Sequence, residues 1–446
     1  MILAAGAVAD PVAARSQMGF SLGWHIILAC FGVGLPGLVL FTEWRGLRTG
    51  DPVLRLLARR WAKALGLLFA VGAVSGTILS IEMGVLWSGL MSRWGQVIGL
   101  PFAIEGIAFF VEAIFLGIYL YGWDRLPPRV HLLSGIPIFV AGVASAFFVV
   151  TANAWMNTPA GYTLHDGRLT GVDPWAAMFN PATGPETVHM ILAALMVTGF
   201  GTASVYAVAM LRGRRDRYHR FGLLIPLTFA TVATPIQLLV GDWIATTVAE
   251  NQPVKLAAME GLFDTGRGVP LTFGGIFLND RLQWALEIPW GLSLLLTHDP
   301  NGEVIGLQSV PPDLRPPVNV VHLAYNTMVG MGSALMLLAL WLGWSWWRKH
   351  SIPGSPWFLR ATAVSGVAAV VAMETGWITT EVGRQPFIVY GILRTADAVS
   401  PAPGIALGFF AVAAIYAVLT VLTVVVLRRL ARSHDTAAPQ ELEPVP

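Results

Sequence analysis

The chain has 446 residues, 55% of them hydrophobic and only 12% charged, with a mean hydropathy of +0.64. That composition excludes an ordinary soluble globule and points to a polytopic membrane protein. A formal net charge of +2 gives no basic surface for a nucleic acid. The single cysteine, Cys30, excludes an intramolecular disulfide, a thiolate zinc site, an Fe–S cluster and a C-x-x-C-H haem attachment.

The N-terminal stretch MILAAGAVADPVAARSQ has no basic segment before its short apolar run, so it reads as mature sequence rather than a cleaved signal. Nine stretches then reach the ~20 residues needed to cross a hydrocarbon core. They fall near 17–42, 61–87, 94–121, 130–152, 187–211, 220–246, 320–347, 358–381 and 404–428. The expected fold is an all-α integral membrane protein of about nine transmembrane helices in bundles. Residues 1–432 form one membrane domain, and the polar, Pro-rich tail 433–446 is expected to be disordered.

Arginines and lysines orient the spans. Arg45, Arg48, Arg55, Arg59, Arg60 and Lys63 follow span 1, and Arg212, Arg214, Arg215, Arg217 and Arg220 follow span 5. Smaller groups follow spans 3, 7 and 9, while the alternate loops carry fewer. The dense side is expected to be cytoplasmic, with the N-terminus outside and the C-terminus inside.

Span 1 carries His25. Between Arg93 and Asp124, span 3 carries only two charges, Glu105 and Glu112. Seven residues is close to two helical turns, so both acids project from one face, about 10 Å apart. An intramembrane acid is a functional hypothesis by default. The two are stepping stones for protons or, on the plainer reading, neutral or paired groups that the bundle tolerates. Span 5 opens with His189, and span 7 with His322 and Met328. Each histidine at that depth is a ligand, a proton carrier or an interhelical hydrogen-bonder. A His and a Met from facing helices make a six-coordinate haem set suited to electron transfer, and Gly330, Gly332 and Ser333 would let a macrocycle approach. Methionine is also ordinary core filler. His131, His219, His350 and His434 in cytoplasmic segments, and His165 and His298 in outer loops, are expected to be solvated.

Two outer loops are long. Residues 153–186 are rich in Pro, Gly and aromatics. Residues 247–319 exceed any simple connector and so read as functional. The second contains KLAAMEG, expected as a short helix, and LQWALEIPWGLSLLL, expected to be amphipathic or re-entrant because Glu287 and Pro289 interrupt it. Span 8 ends M-E-T-G-W-I-T-T-E-V-G-R-Q-P-F, placing Glu374 and Glu381 on one face with Arg384 just beyond. Arg384 either snorkels or holds a carboxylate or a haem propionate.

Together these segments resemble subunit I of cytochrome bd-type quinol oxidases, over residues 15–430. The resemblance implies the following roles. R-S-Q-M-G-F-S-L-G-W-H makes His25 an axial haem ligand, P-E-T-V-H and A-Y-N-T-M-V-G-M-G make His189 and Met328 the ligands of a low-spin haem b, and E-V-G-R-Q-P makes Glu381 the ligand of a second active-site haem. F-A-I-E-G and A-F-F-V-E place Glu105 and Glu112 on the proton-pathway helix. T-A-N-A-W-M matches the segment holding Asn153 and Trp155, and K-L-A-A-M-E the quinol motif with Lys255 and Glu260. Glu374 joins the acids as a catalytic candidate, and Trp377, Asn153 and Arg384 join the cofactor-binding set.

The implied cofactors are two haems b, one low-spin and one high-spin, with haem d. His25 and Glu381 are the open choices for haem d. The implied partners are quinol, O2, membrane lipid, a polytopic subunit II and small single-helix subunits, in a bacterial cytoplasmic membrane. The chain departs from the family at Asn326, where relatives carry arginine, at Glu82 in E-M-G-V-L-W, where glutamine is expected, and in a short quinol loop. The competing readings are an oxidase with b haems alone, another quinol-dependent reductase, a proton-coupled transporter and a haem sensor.

Overall fold

The computed structural model describes residues 11–165, 168–402 and 404–432. The helices in chain order are α1 Pro11–Thr49, α2 Pro52–Leu86, α3 Ser88–Gly122, α4 Pro128–Asn157, α5 Pro174–Met178, α6 Thr183–Leu211, α7 Arg217–Asn251, α8 Pro253–Glu260, α9 Gly291–Thr297, α10 Val318–Lys349, α11 Pro356–Gly383, α12 Thr395–Ala398 and α13 Ile405–Arg432. Among the described residues, nine of them are long and apolar enough to cross a membrane: all but α5, α8, α9 and α12. The observed helices overrun most of the expected spans because polar caps lie beyond the apolar runs. Asp51 accepts from Val53 N at the start of α2, Asp216 from His219 N at α7, and Ser355 from Trp357 N at α11. Proline stands in the first turn of α2 and α11, where its missing N–H costs nothing. The tail 433–446, expected to be disordered, lies outside the described residues.

Successive long helices alternate in direction. The starts of α1, α3, α6, α10 and α13 therefore share one end of the molecule with the ends of α2, α4, α7 and α11. This is also where the long 252–317 segment emerges, so it is called the loop end below. α6 packs on α7 and α11, and α10 packs on the same two, so these four helices close a bundle with α6 and α10 on one diagonal. Ile26, Cys30, Phe200, Leu227, Leu335 and Met373 are buried in the core of this region. Glycine permits the close approach: a Cβ on Gly199 of α6 would stand 2.7 Å from the Pro226 carbonyl oxygen of α7. α1 packs on α2, α4 and α6, α3 pairs with α4, and α13 rests on α1 and α2.

Short antiparallel pairs build the connections. β1 Thr163–His165 pairs with β2 Arg168–Thr170. In the long loop, β3 Gly266–Arg267, β4 Leu271–Phe273, β5 Ile276–Leu278, β6 Arg281–Gln283, β7 Leu286–Ile288 and β8 Glu303–Val304 nest as β5–β6 inside β4–β7 inside β3–β8. The innermost turn, Asn279–Asp280, has φ of 51° and 60°, as a two-residue hairpin of type I′ requires. β9 Phe387–Val389 pairs with β10 Leu393–Arg394 after α11.

KLAAMEG is the expected short helix, α8. LQWALEIPWGLSLLL is not the single amphipathic or re-entrant segment expected of it. Positive φ at Trp284 and Trp290 breaks it into β6, β7 and α9. The loop is tied to α10. His322 hydrogen-bonds the Met259 and Gly274 carbonyls, each at 2.8 Å, and Asn326 Oδ1 accepts from Gly274 N at 2.8 Å. Asn319 exchanges two bonds with the Phe277 backbone.

Candidate active site

Four elements bring charged side chains together at the loop end. α4 finishes with Asn153 and Asn157, one turn apart. Asn157 Nδ2 donates to Asn153 Oδ1 at 3.1 Å and to Glu186 Oε1, near the start of α6, at 2.9 Å. At the end of α11, Arg384 donates to Glu381 Oε2 at 2.6 Å, and the Asn153 amide donates to the other Glu381 oxygen. Asn157 Oδ1 accepts from Lys255 Nζ and Gln252 Nε2, each at 3.3 Å. Lys255 reaches this point because Gly383, lacking a side chain, leaves room for its stem. Two acids (Glu186, Glu381) and two bases (Lys255, Arg384) are thus gathered, with Arg384 only 2% exposed. Buried charges persist only when paired and hydrogen-bonded, and here the signs cancel.

α8 sends its two polar residues in different directions. Lys255 joins the cluster above, where burial lowers its pKa from the ordinary lysine range and Glu186 opposes that shift. Glu260 lies against the Tyr325 hydroxyl of α10, and burial lifts its carboxyl to about 7. The structure does not join the two. A cavity of about 290 Å³ opens beside Lys255, with Gln385, Phe387 and Tyr390 among its walls. This approaches the lower end of the range for small-molecule sites.

Deeper in the four-helix bundle, His189 of α6 faces Gly241 of α7, and Met328 of α10 faces Gly376 of α11. They stand on diagonal helices near the same end. His189 Nδ1 is buried and has no hydrogen-bond partner. Trp377 is engaged by Met190, its Nε1 donating to the thioether at 3.3 Å.

His25 on α1 is held through Nδ1 by the Ser75 hydroxyl of α2 at 2.7 Å, with Gly76 leaving space beside its ring. Glu374 of α11 reaches toward α1 at Gly23 and has a buried, unpartnered Oε1. Glu105 and Glu112 lie along α3 facing α4: Ser145 donates to Glu105 at 3.1 Å, and Glu112 is buried opposite Gly142.

Two histidines depart from the solvated role expected of them. His131 is 2% exposed and bonds Glu43 at 2.6 Å, while Tyr119 OH donates to the same carboxylate at 2.5 Å. His219 is 6% exposed and bonds Asp216, the cap of its own helix. His165, His298 and His350 are exposed as expected, and His434 lies outside the described residues. His322 serves as a hydrogen-bonder. Sequence reasoning passed over Asn157, Gln252, Tyr325, Glu43 and the role of Glu186. A polar residue next to an apolar run was the available signal for each.

Among the described residues, nine helices long and apolar enough to cross a membrane, with buried acids along them and His189 and Met328 near one end, define a polytopic helical membrane protein with polar groups at depth. The comparisons narrow that class. The family profile described as "Cytochrome bd terminal oxidase subunit I" matches residues 13–435. The chain is 38% identical to the "Putative cytochrome bd menaquinol oxidase subunit I" of Bacillus subtilis (strain 168), covering 95% of this chain and 97% of the relative. It is 31% identical to that organism's "Cytochrome bd ubiquinol oxidase subunit 1", covering 88% and 87%. The solved bd oxidase of Geobacillus thermodenitrificans superposes with a TM-score of 0.89 at 38% identity, over 96% of this chain and 100% of that one. The chain belongs to the cytochrome bd terminal oxidase subunit I family.

Proposed function

We propose that this chain is the haem-bearing subunit of a quinol:oxygen oxidoreductase, oxidising quinol at the outer face and drawing the protons for water from the cytoplasm. The diagonal placement of His189 and Met328 beneath the α8 loop carries this reading. His189, an imidazole with an orphaned nitrogen, and Met328, a thioether, stand on helices that face each other across a bundle and would hold a low-spin haem b between them. His25, oriented by Ser75, and Glu381 fit the two haems of an oxygen-reducing pair, one a haem b and the other haem d. Glu381 accepts one hydrogen bond on each oxygen and keeps lone pairs free for a metal. Bound haem supplies one-electron transfer and oxygen reduction.

The chain's own residues do the rest. Lys255 and Glu260 hydrogen-bond the quinol ring or take its proton, with the cavity beside Lys255 as the entrance. Arg384 holds Glu381 in place and neutralises it. Glu112, then Glu105 with Ser145, pass protons outward along α3, and Glu374 receives them near His25. No proton is pumped: charge crosses the membrane because quinol protons leave outside while oxygen's protons come from inside. A polytopic subunit II, with small single-helix subunits, covers the exposed apolar faces. The N-terminus lies outside and the C-terminus in the cytoplasm.

The test uses the complex purified from its native membrane. A pyridine haemochrome spectrum and quinol-driven oxygen uptake are both expected. Haem-free protein that moves a solute down a proton gradient would replace this reading with a transporter.

A further inference from the structure

Glu82 lies near the loop end of α2 and plays no part in the mechanism above. It is 4% exposed and accepts from Gln17 Nε2 and Ser21 Oγ, both at 2.9 Å, on the same oxygen. Its other oxygen, Oε2, is buried with no donor, and so is Gln17 Oε1. Both oxygens are thus acceptors to which no protein group among the described residues donates. A glutamine at 82 would bring a donor of its own, so the carboxylate is the poorer structural choice. The remaining neighbours supply no counter-charge. Tyr416 of α13 is fully buried beside Ser21 and Glu82. α3, which also packs on α2, carries Arg93 and Glu105, and neither hydrogen-bonds Glu82.

The neighbour that matters is His25. Ser21, which bonds Glu82, is one turn from His25 on α1, about 6 Å along the axis. On α2, Ser75 bonds His25 seven residues from Glu82. The two helices thus frame His25 and Glu82 as adjacent layers. An electron arriving at the layer of His25 adds a negative charge in a low-dielectric space, and the nearby Glu82 carboxylate can take the compensating proton.

We propose that Glu82 is a redox-linked proton acceptor for the haem that His25 holds, which rests on the haem assignment above. When one electron passes from quinol to that haem, one proton from the outer aqueous phase binds the Glu82 carboxylate and supplies a donor there. On reoxidation the electron goes to oxygen and the proton returns to the same phase. The cycle adds nothing to the net reaction.

The measurement is a spectroelectrochemical titration of the purified complex at several pH values. In the wild type, the midpoint of the His25 haem should fall as pH rises. Full coupling gives a tenfold change in the redox equilibrium per pH unit, about 59 mV for one electron. Glu82→Gln, which installs the residue expected in relatives, should flatten that slope while haem content and the His189/Met328 spectrum stay unchanged. Glu82→Asp should retain it. A pH-independent wild-type midpoint, or a slope that survives in Glu82→Gln, overturns the proposal. The wild-type arm stands even if neither variant assembles. Loss of no haem in His25→Ala would instead overturn the assignment of His25, a separate failure.

Discussion

Met328 is unbranched, and leucine matches it closely in volume but offers no lone pair. Such swaps in packed interiors usually cost under about 1.5 kcal/mol. Met328→Leu is therefore expected to insert and fold while losing the low-spin α-band; an unchanged low-spin spectrum removes the assignment. The α8 pair gives a pH prediction. With its pKa lifted to about 7 by burial, Glu260 is neutral below that value and able to accept a proton above it. Quinol oxidation should rise with pH through about 7, and Glu260→Gln should abolish that rise with haem spectra intact. A profile that keeps its acidic limb in the variant places the base elsewhere. At this scale the motifs single out His25, His189 and Glu381 as rare polar residues in apolar runs, and the structure places each of them on a long helix. Asn157 and Gln252 were opaque because an amide at a helix end has many ordinary uses. Only the fold shows Asn157 touching Asn153, Glu186, Gln252, Lys255 and Arg384 together.

The long helices were legible because a bilayer imposes their length, and a run of apolar residues has one economical conformation there. Their ends were less so. Asp51 and Asp216 extend α2 and α7 beyond the apolar runs, and caps of that kind lie outside a hydropathy window. The hairpins of the long loop escaped because each strand spans two or three residues, too few for an alternating pattern to emerge. Close packing between helices yields its own prediction. Gly199→Val would drive a branched side chain into the Pro226 carbonyl, a backbone atom that cannot swing aside. Overpacking of this kind costs about 1–3 kcal/mol. The thermal midpoint of the detergent-solubilised complex should fall, whereas Gly343→Ala, with nothing within 4 Å of the added carbon, should leave it unchanged.

For the whole molecule, the expectation is directional. A fluorescent reporter fused after Pro446 should fold and glow in the cytoplasm, while a periplasm-dependent reporter there should stay silent; the reverse would invert every vectorial statement above. Glu112→Gln keeps the shape and loses the proton, so oxygen reduction should slow several-fold while quinol still reduces haem. A wild-type rate in that variant ends the ladder reading of α3.

The loop that caps the bundle is fastened to the helix that presents Met328. His322, Asn326 and Asn319 hold Met259, Gly274 and Phe277 from a single stretch of α10. The loop and the proposed haem ligand thus ride on one lever. If Met328 holds a haem as proposed, a molecule wedged under the loop would tilt the same helix that sets the sulfur's position, and occupancy at the surface would be readable as a colour change in the interior.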